Sequence, residues 1–392
     1  MSEAVIVSGA RTPVGKAGKG ALIRVRSDAL AAHCVVETLK RAPGVEPSQI
    51  EDLILGCAMP EAEQGMNVAR MVGLLADLPD SVPALTINRY CSSGLQSISM
   101  ANDRILLGDS EVILAGGLES MSMIPMGGHK ISPNSELVRK RPESYITMGL
   151  TAERVAEKYQ ISRAEQDAFS YRSHQRAIAA IQAGRFKDEI APLTWTETLL
   201  NENNKEVSSS RTMDQDEGPR ADTSVEALAK LKPVFKMSGS VTAGNSSQVS
   251  DGAAMVLLTS KSYAEKHGLK PMARLLKYAV VGVAPEVMGI GPAFAIPAVL
   301  KKAGISLSQI DLFEINEAFA SQSLAVVKEL GLDLEKVNVN GGAIALGHPL
   351  GCTGTKLTLS LIHELQRRGG RYGIVSMCIG GGMGAAGLFE LM

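Results

Sequence analysis

Leu39-Lys40-Arg41-Ala42, followed by Ser48-Gln49-Ile50-Glu51-Asp52-Leu53, returns later in the chain as Leu300-Lys301-Lys302-Ala303, followed by Ser308-Gln309-Ile310-Asp311-Leu312. Each copy sets out a helix end, a turn and an apolar strand in the same order. The likeness continues downstream. Cys91-Ser92-Ser93-Gly94 leads to a strand, residues 112–117, that ends in two glycines, and Gly351-Cys352-Thr353-Gly354 leads to Cys378-Ile379-Gly380-Gly381. Self-similarity in fixed order over this span marks a duplicated unit, and strand alternating with helix inside each copy makes the class α/β.

Outward from the first copy, residues 4–8 read as a buried strand, Ser27–Leu39 as an amphipathic helix and Leu53–Leu55 as a second strand. Between the copies, residues 121–249 change character. They are richer in charge and methionine, hold the polar run Asn201–Arg211, and carry helical patterns over Ala152–Lys158 and Ala164–Ala183. This stretch reads as an inserted loop domain that covers a site. The expected organisation is a first half at 1–120 completed by 250–270, the insertion at 121–249, and a second half at 271–392.

Composition narrows the function. A chain of 392 residues with 45% hydrophobic residues can build more than one core, and a formal net charge of −1 gives no electrostatic footprint for nucleic acid. No signal-peptide pattern opens the chain, and no apolar run approaches the ~18 residues of a membrane span. Five scattered cysteines without a C-x-x-C pair argue against a disulfide framework or a zinc site and fit reduced thiols in the cytoplasm.

Two of those cysteines stand out. Small residues follow Cys91, and Leu95, Ile98, Ala101 and Ile105 then recur at helical spacing, which puts Cys91 at a helix N-terminus. The positive end of a helix lowers a thiol pKa from ~8.5 and favours the thiolate. The competing reading is a buried structural cysteine, kept here for Cys34, Cys57 and Cys352. Cys378 closes an apolar strand just before Gly380-Gly381-Gly382, as a resolving thiol or as an acid/base beside the nucleophile. The glycines after it offer N–H groups for an oxyanion. His348, framed by Gly347 and Pro349, is the histidine placed to serve as a base, whereas His33, His174, His267 and His363 read as surface or packing residues. Asn316 and Glu317 follow the strand at 312–315. Either they cap the next helix, or Asn316 holds a water or a carbonyl oxygen. The match of 382–387 to G-x-G-x-x-G leaves only Leu388–Met392 after it, too little for a dinucleotide fold.

Taken together, N-x-x-C-S-S-G at 88–94, N-E-A-F-A at 316–320, G-G-A-I-A-L-G-H-P-x-G at 341–351 and C-I-G-G-G-M-G-A-A at 378–386 resemble, in order and position, the signature segments of the thiolases. The resemblance spans essentially the whole chain. It implies a five-layered α-β-α-β-α fold from two similar halves with a loop domain in the first. It further implies Cys91 as the acylated nucleophile, His348 as its base, Cys378 as the acid/base for the acetyl carbon, Asn316 as holder of a water in one oxyanion site, and the N–H groups of Cys91 and Gly380 as the other. Coenzyme A is then a substrate and no permanently bound cofactor or metal is expected. By the same resemblance Ser247 and Arg220 contact CoA, Met148 and Met288 line the acyl pocket, and the chain is a homodimer or homotetramer. Ala227 stands where biosynthetic members often carry a serine. The N-R-Y-C-S-S-G-L-Q and Y-I-T-M-G-L segments are closer to degradative members, which cleave 3-ketoacyl-CoA in β-oxidation, than to biosynthetic acetoacetyl-CoA enzymes. Two other functions compete: a lipid carrier that keeps the fold without turnover, and a cysteine hydrolase that would use Cys91 and His348 and leave Cys378 idle.

Overall fold

The computed structural model describes residues 3–392. The first copy supplies β1 (Ala4–Arg11), α1 (Ser27–Lys40), β2 (Asp52–Gly56), α2 (Val68–Leu75), β3 (Ala84–Ile87), α3 (Ser93–Leu107) and β4 (Val112–Ser120). The inserted stretch carries α4 (Met148–Lys158), α5 (Arg163–Gln182) and a hairpin of β5 (Leu193–Leu200) and β6 (Glu206–Met213). After β7 (Ser250–Ser260) the second copy supplies β8 (Ala273–Gly282), α6 (Gly291–Ala303), β9 (Leu312–Ile315), α7 (Ala320–Leu330), α8 (Leu350–Arg368), β10 (Tyr372–Ile379) and β11 (Met383–Leu391).

The duplication read from the sequence is written into the strand pairing. In the first half the order is β3-β2-β4-β7-β1, with β2 parallel to β3 and β4, and β7 antiparallel to β4 and β1. In the second half β9 is parallel to β10, and β11 is antiparallel to β10 and β8. The parallel bridge Phe313↔Val337 stands where β3 stands in the first half. Among the described residues the two sheets pair with each other only at Ile6↔Ala273.

Three apolar cores separate the layers. One joins α1 and α2 to a face of the first sheet, one joins α6 and α7 to a face of the second, and the third holds α3 and α8 between both sheets. The order is therefore helix, sheet, helix pair, sheet, helix, as the resemblance implies. Leu95, Ile98, Leu359 and Leu361 in the central pair are 0% exposed, and burial of such a side chain is worth about 1.5–3 kcal/mol. α8 is enclosed from Leu350 through Ile362, so its polar side chains must find partners inside. Thr358 donates to Gly354 O, Thr355 donates to Gly94 O, and Ser360 donates to Glu189.

The first turns of α3 and α8 meet because both are glycine. A Cβ on Gly354 would lie 2.2 Å from the Leu95 nitrogen, and one on Gly94 would lie 2.7 Å from Gly351 O. Matching loops of the two copies, one ending in Cys91 and the other in His348, are thereby drawn to the same seam.

The insertion differs in detail from the sequence reading. α4 starts at Met148, ahead of the expected Ala152, because Met148 and Gly149 follow the extended N-cap Thr147. The polar run near Asn201 is the tip of the β5–β6 hairpin, whose exposed strands carry too few apolar residues to show an alternating pattern. Residues 383–391 form β11, in keeping with the rejection of a dinucleotide site.

Candidate active site

Cys91 sits in a single tight turn, Tyr90–Ser92, immediately before α3. Tyr90 has φ +43, a left-handed conformation that costs a residue with a Cβ about 1–2 kcal/mol. Its neighbours hold it there. Tyr90 N donates to Asn88 Oδ1 at 2.8 Å, and Ser93 Oγ donates to Tyr90 O at 2.7 Å while accepting from Arg89 N at 2.9 Å. The N-R-Y-C-S-S run thus turns the cysteine out of the helix axis into the seam, where the turn packs against both α8 and β10.

The helix terminus does not make Cys91 a resting thiolate. Desolvation around the sulfur pushes its pKa up to about 12, against the opposing pull of the Gly380 N–H and its own N–H. Against the expected lowering, the loss of water here outweighs the donors of one helix end. Desolvation thus favours the thiol form of Cys91.

His348 is buried, and its ring nitrogens are both engaged. Nδ1 lies 2.6 Å from Thr353 Oγ1 and Nε2 lies 3.2 Å from Asn316 Nδ2. Its backbone N–H is shared by Gln248 O at 3.1 Å and Ser250 Oγ at 3.2 Å. Preceding Gly347 has φ +86, and a Cβ there would meet Ser250 Oγ at 2.3 Å, so only glycine fits the turn. Burial pushes the imidazole pKa down to about 3, and the buried Lys356 charge acts in the same direction. At neutral pH His348 is uncharged and able to take a proton.

Asn316 caps nothing. α7 begins at Ala320 after Phe319, and the Asn316 backbone N–H is tied to Ser376 O at 2.9 Å, which turns the amide inward. Its Oδ1 is buried without a partner in the protein, and leaving such an atom unpaired costs about 1–3 kcal/mol. Glu317 is likewise no cap. It accepts from Ser173 Oγ at 2.6 Å and Asn338 Nδ2 at 2.9 Å, bracing the 341–348 loop against α5.

Cys378, at the end of β10, is 0% exposed and packs with Met288, Ala318 and Phe319, with Met148 alongside. Burial first, and then the neighbouring Cys91, push its thiol above the ordinary range. Gly380 completes the group: a Cβ there would lie 3.6 Å from Met148 Sδ and 3.8 Å from the Tyr90 ring. Cys91, Cys378, Gly380, Met148 and Met288 are thus brought together, with the His348–Asn316 pair at the same seam.

Arg220 and Ser247 lie elsewhere, in a cleft of 620 Å³ that Lys16, Lys19, His174 and Phe235 also line. Gln248, whose carbonyl holds His348, borders it as well and joins the cleft to that imidazole. Arg220 is exposed, 3.4 Å from Asp222, and its backbone N–H donates to His174 Nδ1 at 3.2 Å. His174 is therefore part of the cleft wall as well as packing; burial, and then Arg220, push its pKa down to about 4. Ala227 borders the cleft too.

Sequence reasoning missed Glu119. This fully buried carboxylate accepts from the backbone N–H of Ala58 at 2.8 Å and Gly351 at 2.9 Å, and from Gln64 Nε2 at 2.7 Å, so it ties the start of α8 to the first half. Nothing in a lone glutamate at a strand end announces that role. Among the described residues no group of three or more His, Cys, Asp or Glu side chains converges as a metal site would.

Residues 4–262 match the model described as "Thiolase, N-terminal domain" and residues 269–391 the one described as "Thiolase, C-terminal domain". The chain is 61% identical over 391 residues to a 3-ketoacyl-CoA thiolase of Bacillus subtilis, covering 100% of both chains. It superposes on the crystal structure of human mitochondrial 3-ketoacyl-CoA thiolase with TM-score 0.89 at 42% identity, covering 100% of this chain and 99% of that one. The Bacillus anthracis acetyl-CoA acetyltransferase gives TM-score 0.88 at 47% identity with the same coverage. Two copies of one α/β unit, meeting at glycine and placing a cysteine, a histidine and a second cysteine at their seam, make this chain a member of the thiolase family.

Proposed function

We propose that the chain cleaves 3-ketoacyl-CoA with coenzyme A, giving acetyl-CoA and a shortened acyl-CoA through an acyl-cysteine, as in fatty-acid β-oxidation. The observation that carries this reading is the convergence, at one seam, of Cys91, Cys378 and Gly380 with the hydrogen-bonded His348–Asn316 pair. His348 Nε2 takes the Cys91 proton as the sulfur attacks the 3-keto carbon. The C2–C3 bond then breaks and its electron pair becomes the enolate of acetyl-CoA. That enolate is too basic to leave unaided. His348 and a water on Asn316 steady its oxygen, and Cys378 delivers a proton to its carbon. The unpartnered Asn316 Oδ1 supports such a water.

In the second half-reaction the Cys378 thiolate accepts the proton of an incoming CoA thiol. The CoA sulfur attacks the acyl-Cys91 carbonyl, whose oxygen faces the N–H groups of Cys91 and Gly380. Cys91 leaves and recovers its proton from His348, which closes the proton count. The thioester supplies the activation, so coenzyme A enters as substrate. Arg220 and Ser247 hold it along the cleft, and Met148 and Met288 border the acyl group.

The 61% relative favours a 3-ketoacyl-CoA substrate, while the likeness to an acetyltransferase keeps acetoacetyl-CoA synthesis as the second reading. Steady-state thiolysis across 3-ketoacyl-CoA chain lengths decides between them. Turnover confined to acetoacetyl-CoA would support synthesis, and tight acyl-CoA binding without turnover would support the lipid carrier. Two further properties go with this reading. Five free cysteines suit a reducing cytoplasm. The open edge of β3, with Leu85, Met66 and Leu75 exposed beside it, suits pairing with a second copy.

A further inference from the structure

We infer that Thr353 is a positioning residue that fixes the tautomer of His348, placing the imidazole proton on Nδ1 and leaving the Nε2 lone pair for the Cys91 proton. Three contacts carry this. Thr353 Oγ1 lies 2.8 Å from Pro349 O, one turn back along α8, and 2.6 Å from His348 Nδ1. A threonine hydroxyl has one hydrogen. The Pro349 carbonyl can only accept, so when the hydroxyl donates to it the oxygen presents a lone pair to Nδ1, and Nδ1 carries the hydrogen. At the other ring nitrogen, Asn316 Nδ2 lies 3.2 Å from Nε2, a contact that suits an unprotonated Nε2 and gives way when the Cys91 proton arrives. Both ends of the ring thus select the same form.

The surroundings keep that choice in place. His348 and Thr353 are both buried, so no bulk water competes for Nδ1. The main chain on either side of the ring is pinned, at His348 N by Gln248 O and Ser250 Oγ and at Thr353 N by Pro349 O. The opposite tautomer would set a ring N–H against the Asn316 amide hydrogens and leave the base without its lone pair where the thiol needs it.

The inference rests on His348 being the base of Cys91, and the test separates the two. Protein labelled with ¹⁵N-histidine, with His348 assigned by its loss in His348→Asn, reports the tautomer directly from the ring nitrogen shifts. Wild type is expected in the Nδ1–H form, and an Nε2–H signal would overturn the inference whatever the variants do. Thr353→Val keeps the shape and removes the hydroxyl. It is expected to mix the tautomers and lower kcat roughly 10–100-fold with KM little changed, while Thr353→Ser restores both. Full activity in Thr353→Val, or equal loss in Thr353→Ser, refutes the role of the hydroxyl. If His348→Asn still forms acyl-Cys91 at the wild-type rate, the assignment of the base fails independently of the tautomer result.

Discussion

Gly354→Ala is the most informative single change, because it adds one carbon at the place where the two copies touch. The new Cβ would sit 2.2 Å from the Leu95 nitrogen, 1.2 Å short of the 3.4 Å at which ordinary contact begins. That neighbour is backbone inside α3 and cannot rotate away. The first turns of α3 and α8 must therefore separate by about an ångström, which carries His348 from Cys91. Displacement of about 1 Å at a reacting pair costs on the order of 100-fold, whereas overpacking a core costs about 1–3 kcal/mol. The expected variant folds with reduced stability, keeps KM for CoA within a few-fold, and loses about two orders of magnitude in kcat. Rapid-quench measurement of the acyl-enzyme burst, beside a urea melt, reads both effects. Gly331→Ala serves as the control: its φ is +62 with nothing within 4 Å, so it should lose about 1 kcal/mol of stability and no turnover. Near-normal burst kinetics in well-folded Gly354→Ala would show that the glycine contact does not set the Cys91–His348 geometry.

Two other predictions concern charge and assembly. Because burial holds the Cys91 thiol near 12 and His348 near 3, the resting pair is neutral. The thiolate fraction, and with it the rate of iodoacetamide alkylation at Cys91, should climb about tenfold per pH unit from pH 7 to 10, and a plateau with a midpoint below pH 8 would reveal a thiolate–imidazolium pair instead. Leu85→Lys on the open edge of β3 should shift sedimentation toward the monomer at micromolar concentration, and an unchanged sedimentation coefficient would place the subunit contact elsewhere.

The layers and the duplication were legible because they rest on patterns that repeat: the strand and helix after Leu39 and after Leu300 obey the same apolar spacing. The convergence of Cys91, His348 and Cys378 was legible because each stands where a strand or helix begins or ends, Cys91 before a run of small residues and the other two beside glycines. What stayed hidden depends on contacts across long separations. Glu119 bonds to Gly351, and Thr353 acts through His348, and neither bond leaves a trace in local spacing. The desolvation at Cys91 stayed hidden for the same reason. A helix terminus is visible in the residues that follow it, but the second half of the chain removes the water.

The seam has a consequence for synthesis of the chain. Cys91 is made more than two hundred residues before Asn316, His348 and Cys378, and β11 must slot between β8 and β10 before the second sheet holds together. In the mechanism proposed above, the first half on the ribosome carries its nucleophile with neither base nor acid beside it. By that mechanism chemistry is switched on by completion of the fold, and a stalled or clipped chain is expected to be inert toward thioesters however well its first sheet has formed.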